Sequence, residues 1–245
     1  MNAILEEKKK DNFVQNLFDA GGHIGYSRVR RHPKMQDFIF GTRNNIEILN
    51  LELTEKKIME AEDFLKKLGR EGKNILLVGT KPSAKNHTKE MGIALNMPYV
   101  SERWLGGIIT NFKVLGARIA YLRNLEEEEK TGGFEKYAKK ERTVKKIKLE
   151  KLRNMFNGIK NLKSIPDALM IIDPNEEKTA LSEALNKNIP VVALINVDSS
   201  PENISYPIPV NHNSQKAVSI VLGRLQKAYE NGLKEKPAEI QAQNG

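Results

Sequence analysis

Three short runs of almost unbroken apolar residues constrain the architecture more than any other feature. They are residues 74–79 (Asn-Ile-Leu-Leu-Val-Gly), residues 167–173 (Asp-Ala-Leu-Met-Ile-Ile-Asp) and residues 189–197 (Ile-Pro-Val-Val-Ala-Leu-Ile-Asn-Val). Each is strand-length, and the first two are closed by Gly or Asp. A strand apolar on both sides must be covered on both faces, which is the condition of a parallel sheet. Helical stretches are expected between and after them over residues 82–95, 176–188 and 214–229, with Ser214 as the cap of the last. Short strands are expected at 98–100 and 208–210. This alternation predicts an α/β fold: a Rossmann-like (flavodoxin-like) parallel sheet with helices on both faces.

The first seventy residues read less regularly. A short helix is expected over 11–20, ended by Gly21 and Gly22, then an irregular basic stretch over 23–36. Two strands, 38–40 and 46–51, flank a turn at 42–45. Thr54 is expected to cap an amphipathic helix that runs to Leu68 and closes at Gly69. The tail after Gly232 is rich in Lys, Glu, Gln and Ala and is read as disordered.

Residues 108–163 break the alternation. Phe112, Leu115, Ile119 and Leu122 recur at steps of three and four, as do Leu149, Leu152, Phe156 and Ile159 after Gly132 and Gly133. Two helices with narrow apolar seams predict an inserted antiparallel α-helical hairpin roughly 30 Å long. The expected organisation is an α/β domain of residues 1–107 and 164–230, the hairpin 108–163, and a tail 231–245.

Charge follows the same division. The chain carries +9, and residues 113–163 alone carry +8, whereas residues 164–245 carry −3. Such concentration points to a polyanion-binding element on a near-neutral body. The acidic cluster 126–129 is read as balancing the first hairpin helix. The second, with Lys139, Lys140, Arg142, Lys145, Lys146, Lys148, Lys151 and Arg153, has little acid to balance it. Arg28, Arg30, Arg31, Lys34 and Arg43 form a second candidate patch for RNA phosphates. Arg103 and Lys113, near the start of the hairpin, complete the set. The competing reading in both places is a solvated charged surface.

Enzyme chemistry finds little support. Gly79-Thr-Lys-Pro-Ser-Ala84-Lys85-Asn86 follows a strand as a phosphate loop would, but Ala84 replaces the second glycine and Asn86 the magnesium-binding hydroxyl. His23, His32, His87 and His212 have no metal-ligand spacing, and there is no cysteine, so neither a metal nor another cofactor is expected. Asp173 and Asp198, at strand ends, are read as turn and capping residues. No run of about 18 apolar residues exists to span a membrane. The first twelve residues contain Glu6, Glu7 and Asp11 without a signal-like apolar segment, so a cytoplasmic location is expected.

Three stretches together resemble one family: Asp19-Ala-Gly-Gly-His-Ile-Gly25 with Arg31-His-Pro-Lys-Met35, Ser101-Glu-Arg-Trp-Leu-Gly-Gly-Ile-Ile-Thr-Asn-Phe112, and Pro166-Asp-Ala-Leu-Met-Ile-Ile-Asp-Pro174. Ile189-Pro-Val-Val-Ala and Tyr206-Pro-Ile-Pro209 continue the match. The family is the bacterial-type small-subunit ribosomal protein two, or S-two, family. The resemblance implies a structural, non-catalytic protein on small-subunit ribosomal RNA, in contact with neighbouring small-subunit proteins and supporting recruitment of ribosomal protein one. The family's usual Gly-Asn-Asp-Asp reads Val210-Asn-His-Asn213 here, so a metal or partner contact through that acidic pair has no carboxylates to make it. The alternatives are a nucleotide-using α/β enzyme and a free-standing coiled-coil adaptor. Trp104, the only tryptophan, is expected to pack at the hairpin base rather than stack on a nucleobase. Gly116 marks a place where a partner could approach closely.

Overall fold

A computed structural model describes residues 13–162 and 164–235. The parallel sheet comes from β4 (Ile75–Val78), β5 (Tyr99–Val100), β6 (Ala168–Ile172), β7 (Val191–Ile195) and β8 (Tyr206–Pro209) in the order β5-β4-β6-β7-β8. Every neighbouring pair is parallel. This is the flavodoxin-like order, with a topological switch point between β4 and β6. Successive side chains of each apolar run enter different cores, which is why the runs show no polar alternation. Ile75, Leu77, Ala168, Met170, Val192 and Leu194 pack on one face beneath α2 (Leu51–Glu71), α3 (Lys85–Ala94) and α7 (Gln215–Lys234). Leu76, Val78, Leu169, Ile171, Val191 and Ala193 pack on the other, against α6 (Lys178–Asn186). The same core contains seam residues from α4 (Phe112–Lys130) and α5 (Lys139–Phe156).

The N-terminal region is more regular than its sequence suggested. After α1 (residues 13–19) come β1 (Ile24–Ser27), two 3-10 turns (Arg28–Arg30 and Pro33–Phe38), β2 (Ile39–Arg43) and β3 (Ile46–Leu49). The strands form an antiparallel sheet ordered β1-β3-β2. Asn44 and Asn45 both have positive φ, the two-residue turn geometry that matches the twist of a hairpin. The stretch 23–36 therefore contains a strand, and Phe38 ends a 3-10 turn instead of beginning the strand that follows.

Several boundaries move for identifiable reasons. Asn50, not Thr54, caps α2: its side chain accepts from the N–H groups of Glu52 and Leu53, at 3.0 and 3.2 Å. Thr54 is buried inside the first turn and donates its hydroxyl to the Pro209 carbonyl at 2.6 Å. Gly72, with φ 64, ends α2, so Gly69 lies within the helix. Ser214 does cap α7, accepting from Ala217 N–H, but the helix continues to Lys234, so residues 231–234 belong to it. The rest of the expected tail, 236–245, lies outside the described residues.

Gly69 and Gly232 explain how α2 and α7 come so close. A Cβ at Gly232 would strike the Lys66 carbonyl, and one at Gly69 would strike the Tyr229 carbonyl. Both obstacles are backbone, which cannot swing aside. Gly232→Ala is expected to destabilise the chain by about 1–3 kcal/mol, the usual range for overpacking, and a urea titration measures it. Gly223, where an added Cβ meets nothing, is the control on the same helix.

Candidate nucleic-acid interface

The C-terminal ends of β4 and β6 open onto the switch point, where folds of this order place ligands. Here the position is filled by the chain's own side chains. Lys81 Nζ lies 2.9 Å from Asp173 Oδ2, 3.4 Å from the Tyr26 hydroxyl and 3.3 Å from His212 Nδ1. Arg30 stacks over the Tyr26 ring at 4.2 Å and reaches Asp198 at 3.1 Å. Burial would raise the Asp173 carboxyl, but the His212 ring, protonated in the acid range where this carboxyl titrates, and the Lys81 ammonium outweigh it and hold the group below its ordinary value. Burial depresses fully buried His212 to about 4, against which Asp173 pulls only partly. The ring is neutral near pH 7 and packs as a polar core residue. Asp173 also accepts from Asn175 N–H at 3.1 Å, the expected turn role, to which the ion pair with Lys81 adds.

The phosphate-loop look-alike is organised by a carboxylate. Glu177 accepts both the N–H and the hydroxyl of Thr80, at 3.0 and 2.5 Å. A phosphate at that amide would have to displace Glu177, adding electrostatic repulsion to the two departures already visible in the loop sequence.

A second buried carboxylate shapes the Glu-Arg-Trp-Leu-Gly-Gly stretch. Glu183 of α6 accepts from Trp104 Nε1 (2.9 Å), from the N–H groups of Gly107, Ile109 and Thr110 (2.8, 3.0 and 3.0 Å), and from the Thr110 hydroxyl (3.0 Å). Burial opposes its charge, but these donors win and its pKa is lowered. Trp104 is buried in the core shared with α4 and α5, consistent with packing near the helix pair. A Cβ at Gly116 would meet nothing within 4 Å among the described residues.

Helices α4 and α5 run antiparallel, as their cross-contacts show: Arg123 bonds the Lys160 carbonyl, Glu126 and Glu129 pair with Arg153, and Glu128 pairs with Lys145. The balance of charge along α5 is thereby corrected. Glu126, Glu128 and Glu129 pair with Arg153 and Lys145 of the second helix, because antiparallel packing brings the C-terminal turns of α4 alongside α5. Arg153 contacts Glu150, Glu129 and Glu126, which together raise its pKa. Glu126 is lowered chiefly by Lys160. Arg142 spends its guanidinium on the carbonyls of Glu135 and Tyr137.

The N-terminal patch also divides. Arg31 pairs at 3.2 Å with Glu47, which is fully buried. Arg30 is held by Tyr26 and Asp198, and Lys34 meets Glu202 at 3.0 Å on the surface. Arg28, Arg43, Arg103, Lys113, Lys139, Lys140 and Lys146 are exposed and make no ion pair among the described residues. Lys148 lies over the Tyr121 ring at 4.8 Å.

Comparison with known proteins decides the relationship. The family model described as Ribosomal protein S2 matches residues 17–232. Small ribosomal subunit protein uS2 of Dictyoglomus thermophilum is 38% identical over 230 residues, covering 93% of this chain and 94% of that protein. The protein of the same name from Dictyoglomus turgidum matches to the same extent. The chain belongs to the ribosomal protein S2 family. As an S2 protein it is a structural, non-enzymatic component of the small ribosomal subunit.

Sequence reasoning missed four residues that organise this S2 chain: Tyr26, Glu47, Lys81 and Glu183. Glu47 carried the clearest signal, a carboxylate between isoleucines in a strand. Glu183 offered none, since a glutamate in a helix is ordinarily a surface residue.

Proposed function

We propose that this S2 chain holds small-subunit ribosomal RNA through the cations left over after its own carboxylates are satisfied. One observation carries the reading: Lys139, Lys140 and Lys146 on α5, Lys113 on α4, Arg103, and Arg28 with Arg43 beside the β2–β3 turn stay exposed and unpaired among the described residues. Exposed, flexible cations are what phosphate contact requires. Arg31, Arg142, Lys145 and Arg153 serve the fold first, while Arg30 and Lys34 would have to exchange an ion pair for a phosphate. Residues 108–163 act in this reading as a basic arm on the α/β body. The cytoplasm is the compartment it implies. Neighbouring subunit proteins, with ribosomal protein one among them by family resemblance, are the expected protein contacts.

In a sucrose gradient the chain is expected to co-sediment with small subunits at low salt and to leave them at high salt. Replacing Lys139, Lys140 and Lys146 with alanine should reduce the slope of log affinity against log salt by about one per lysine that meets a phosphate. An unchanged slope would remove α5 from the interface. A chain found only in the free fraction at low salt would remove the RNA reading itself.

A further inference from the structure

The exposed face of the α4–α5 pair is not purely ionic. Val144, Ile147 and Met155 lie on α5 at helical spacing with Lys151 completing the row, and all three apolar residues are 42–60% exposed. Their angular positions put them away from the seam formed by Leu149 and Phe156. On α4, Val114 and Tyr121 stand seven residues apart and are 48% and 42% exposed, with Arg118 between them. The contact of Lys148 with the Tyr121 ring joins the two rows into one surface. Between Val114 and Tyr121 there is no carboxylate, and between Val144 and Met155 there is one, Glu150, already paired with Arg153.

We propose that this face docks an acidic amphipathic helix from another protein, laid along α4 and α5 as a third helix. The apolar row from Val144 to Met155 spans roughly 16 Å, so the incoming helix needs about three turns. Its apolar side would cover Val144, Ile147, Met155 and Tyr121, and its flanking carboxylates would meet Lys148, Lys151 and Arg118. RNA fits this face less well: phosphates would satisfy the cations and leave the aliphatic side chains in water. A second copy of the chain would set the same cations against one another. The inference builds on membership of the small subunit and not on the RNA contacts; of the lysines proposed for RNA on α5, Lys139 and Lys146 project from a different side by helical spacing, while Lys140 lies in line with the row, one turn before Val144.

The test replaces Ile147 with the photo-crosslinking residue p-benzoylphenylalanine and irradiates purified small subunits that contain the chain, with yield counted per incorporated chain. The expected product joins position 147 to one protein, at a peptide with Asp or Glu flanking apolar residues spaced three and four apart. Adding Lys148→Glu and Lys151→Glu should lower that yield about tenfold, as the loss of two good exposed ion pairs would. Crosslinks to RNA alone, to a peptide of this chain, or to no partner would overturn the proposal, as would a yield indifferent to charge reversal. Circular dichroism of the purified variant separates lost docking from lost folding. Reduced incorporation with an unchanged yield per chain would assign Lys148 and Lys151 to the RNA instead.

Discussion

Replacing Arg31 with alanine is expected to lower the melting temperature by roughly 6–12 °C, whereas Arg28→Ala and Arg43→Ala leave it nearly unchanged. Glu47 has no solvent exposure, and Arg31 is its ion-pair partner at 3.2 Å. The Thr42 hydroxyl, donating at 2.6 Å, would remain as a neutral partner. Removing one member of a buried pair typically costs about 3 kcal/mol, because the other charge is left without solvation. In a chain of this size each kcal/mol corresponds to about 2–4 °C. Arg28 and Arg43 are exposed and have no ion pair among the described residues, so their removal should stay within about 0.5 kcal/mol. Combining Arg31→Ala with Glu47→Gln should recover part of the loss by deleting the orphaned charge. If Arg31→Ala melts with the wild type, the pair does not hold the β2–β3 sheet and Arg31 returns to the surface patch. The three adjacent cations 30, 31 and 34 thus differ in kind: Arg31 neutralises a buried acid, Arg30 covers a tyrosine ring, and Lys34 lies at the surface.

Glu183→Gln should destabilise the chain by about 3 kcal/mol and shift the fluorescence of Trp104, its only tryptophan, to the red. Both carboxylate oxygens are needed: Oε1 accepts two donors and Oε2 three. Glutamine keeps one acceptor and turns an NH₂ toward the remaining N–H groups, so buried donors lose their partner at about 1–3 kcal/mol each. Asparagine or alanine would confound this with a cavity, which is why the isosteric change is preferred. A pH dependence follows. The folded pKa of Glu183 is below its ordinary 4.5, so its ionisation stabilises the folded state fully above that value. This contribution is lost as pH falls from about 4.5 through the depressed folded value, because protonation then removes an acceptor. The wild type should therefore lose stability in that window faster than the glutamine variant. Parallel acid melts would show that Glu183 is not the group responsible.

Much of this architecture was legible in the chain itself. Residues 75–78, 168–172 and 191–195 could only be strands covered on both faces, because hydrophobic burial acts on every residue of such a run. Of the expected seam positions, Leu115, Ile119, Leu122, Leu149, Phe156 and Ile159 are buried and Phe112 and Leu152 half-buried, because 3.6-residue periodicity is local to a helix. The family was legible too, through the stretch around Trp104. Tertiary structure alone decided which charges are free. Glu126, Glu128 and Glu129 looked like partners for their own helix until antiparallel packing set them beside Lys145, Arg153 and Lys160. Glu183 acquires its five donors from residues more than seventy positions away. Lys81, Tyr26 and His212 meet only because tertiary packing brings two distant loops and strand β1 of the other sheet to one strand end. Apolar burial is a property each segment carries by itself, but ion pairing depends on which segments become neighbours, and in this chain that is set by strand order and helix packing.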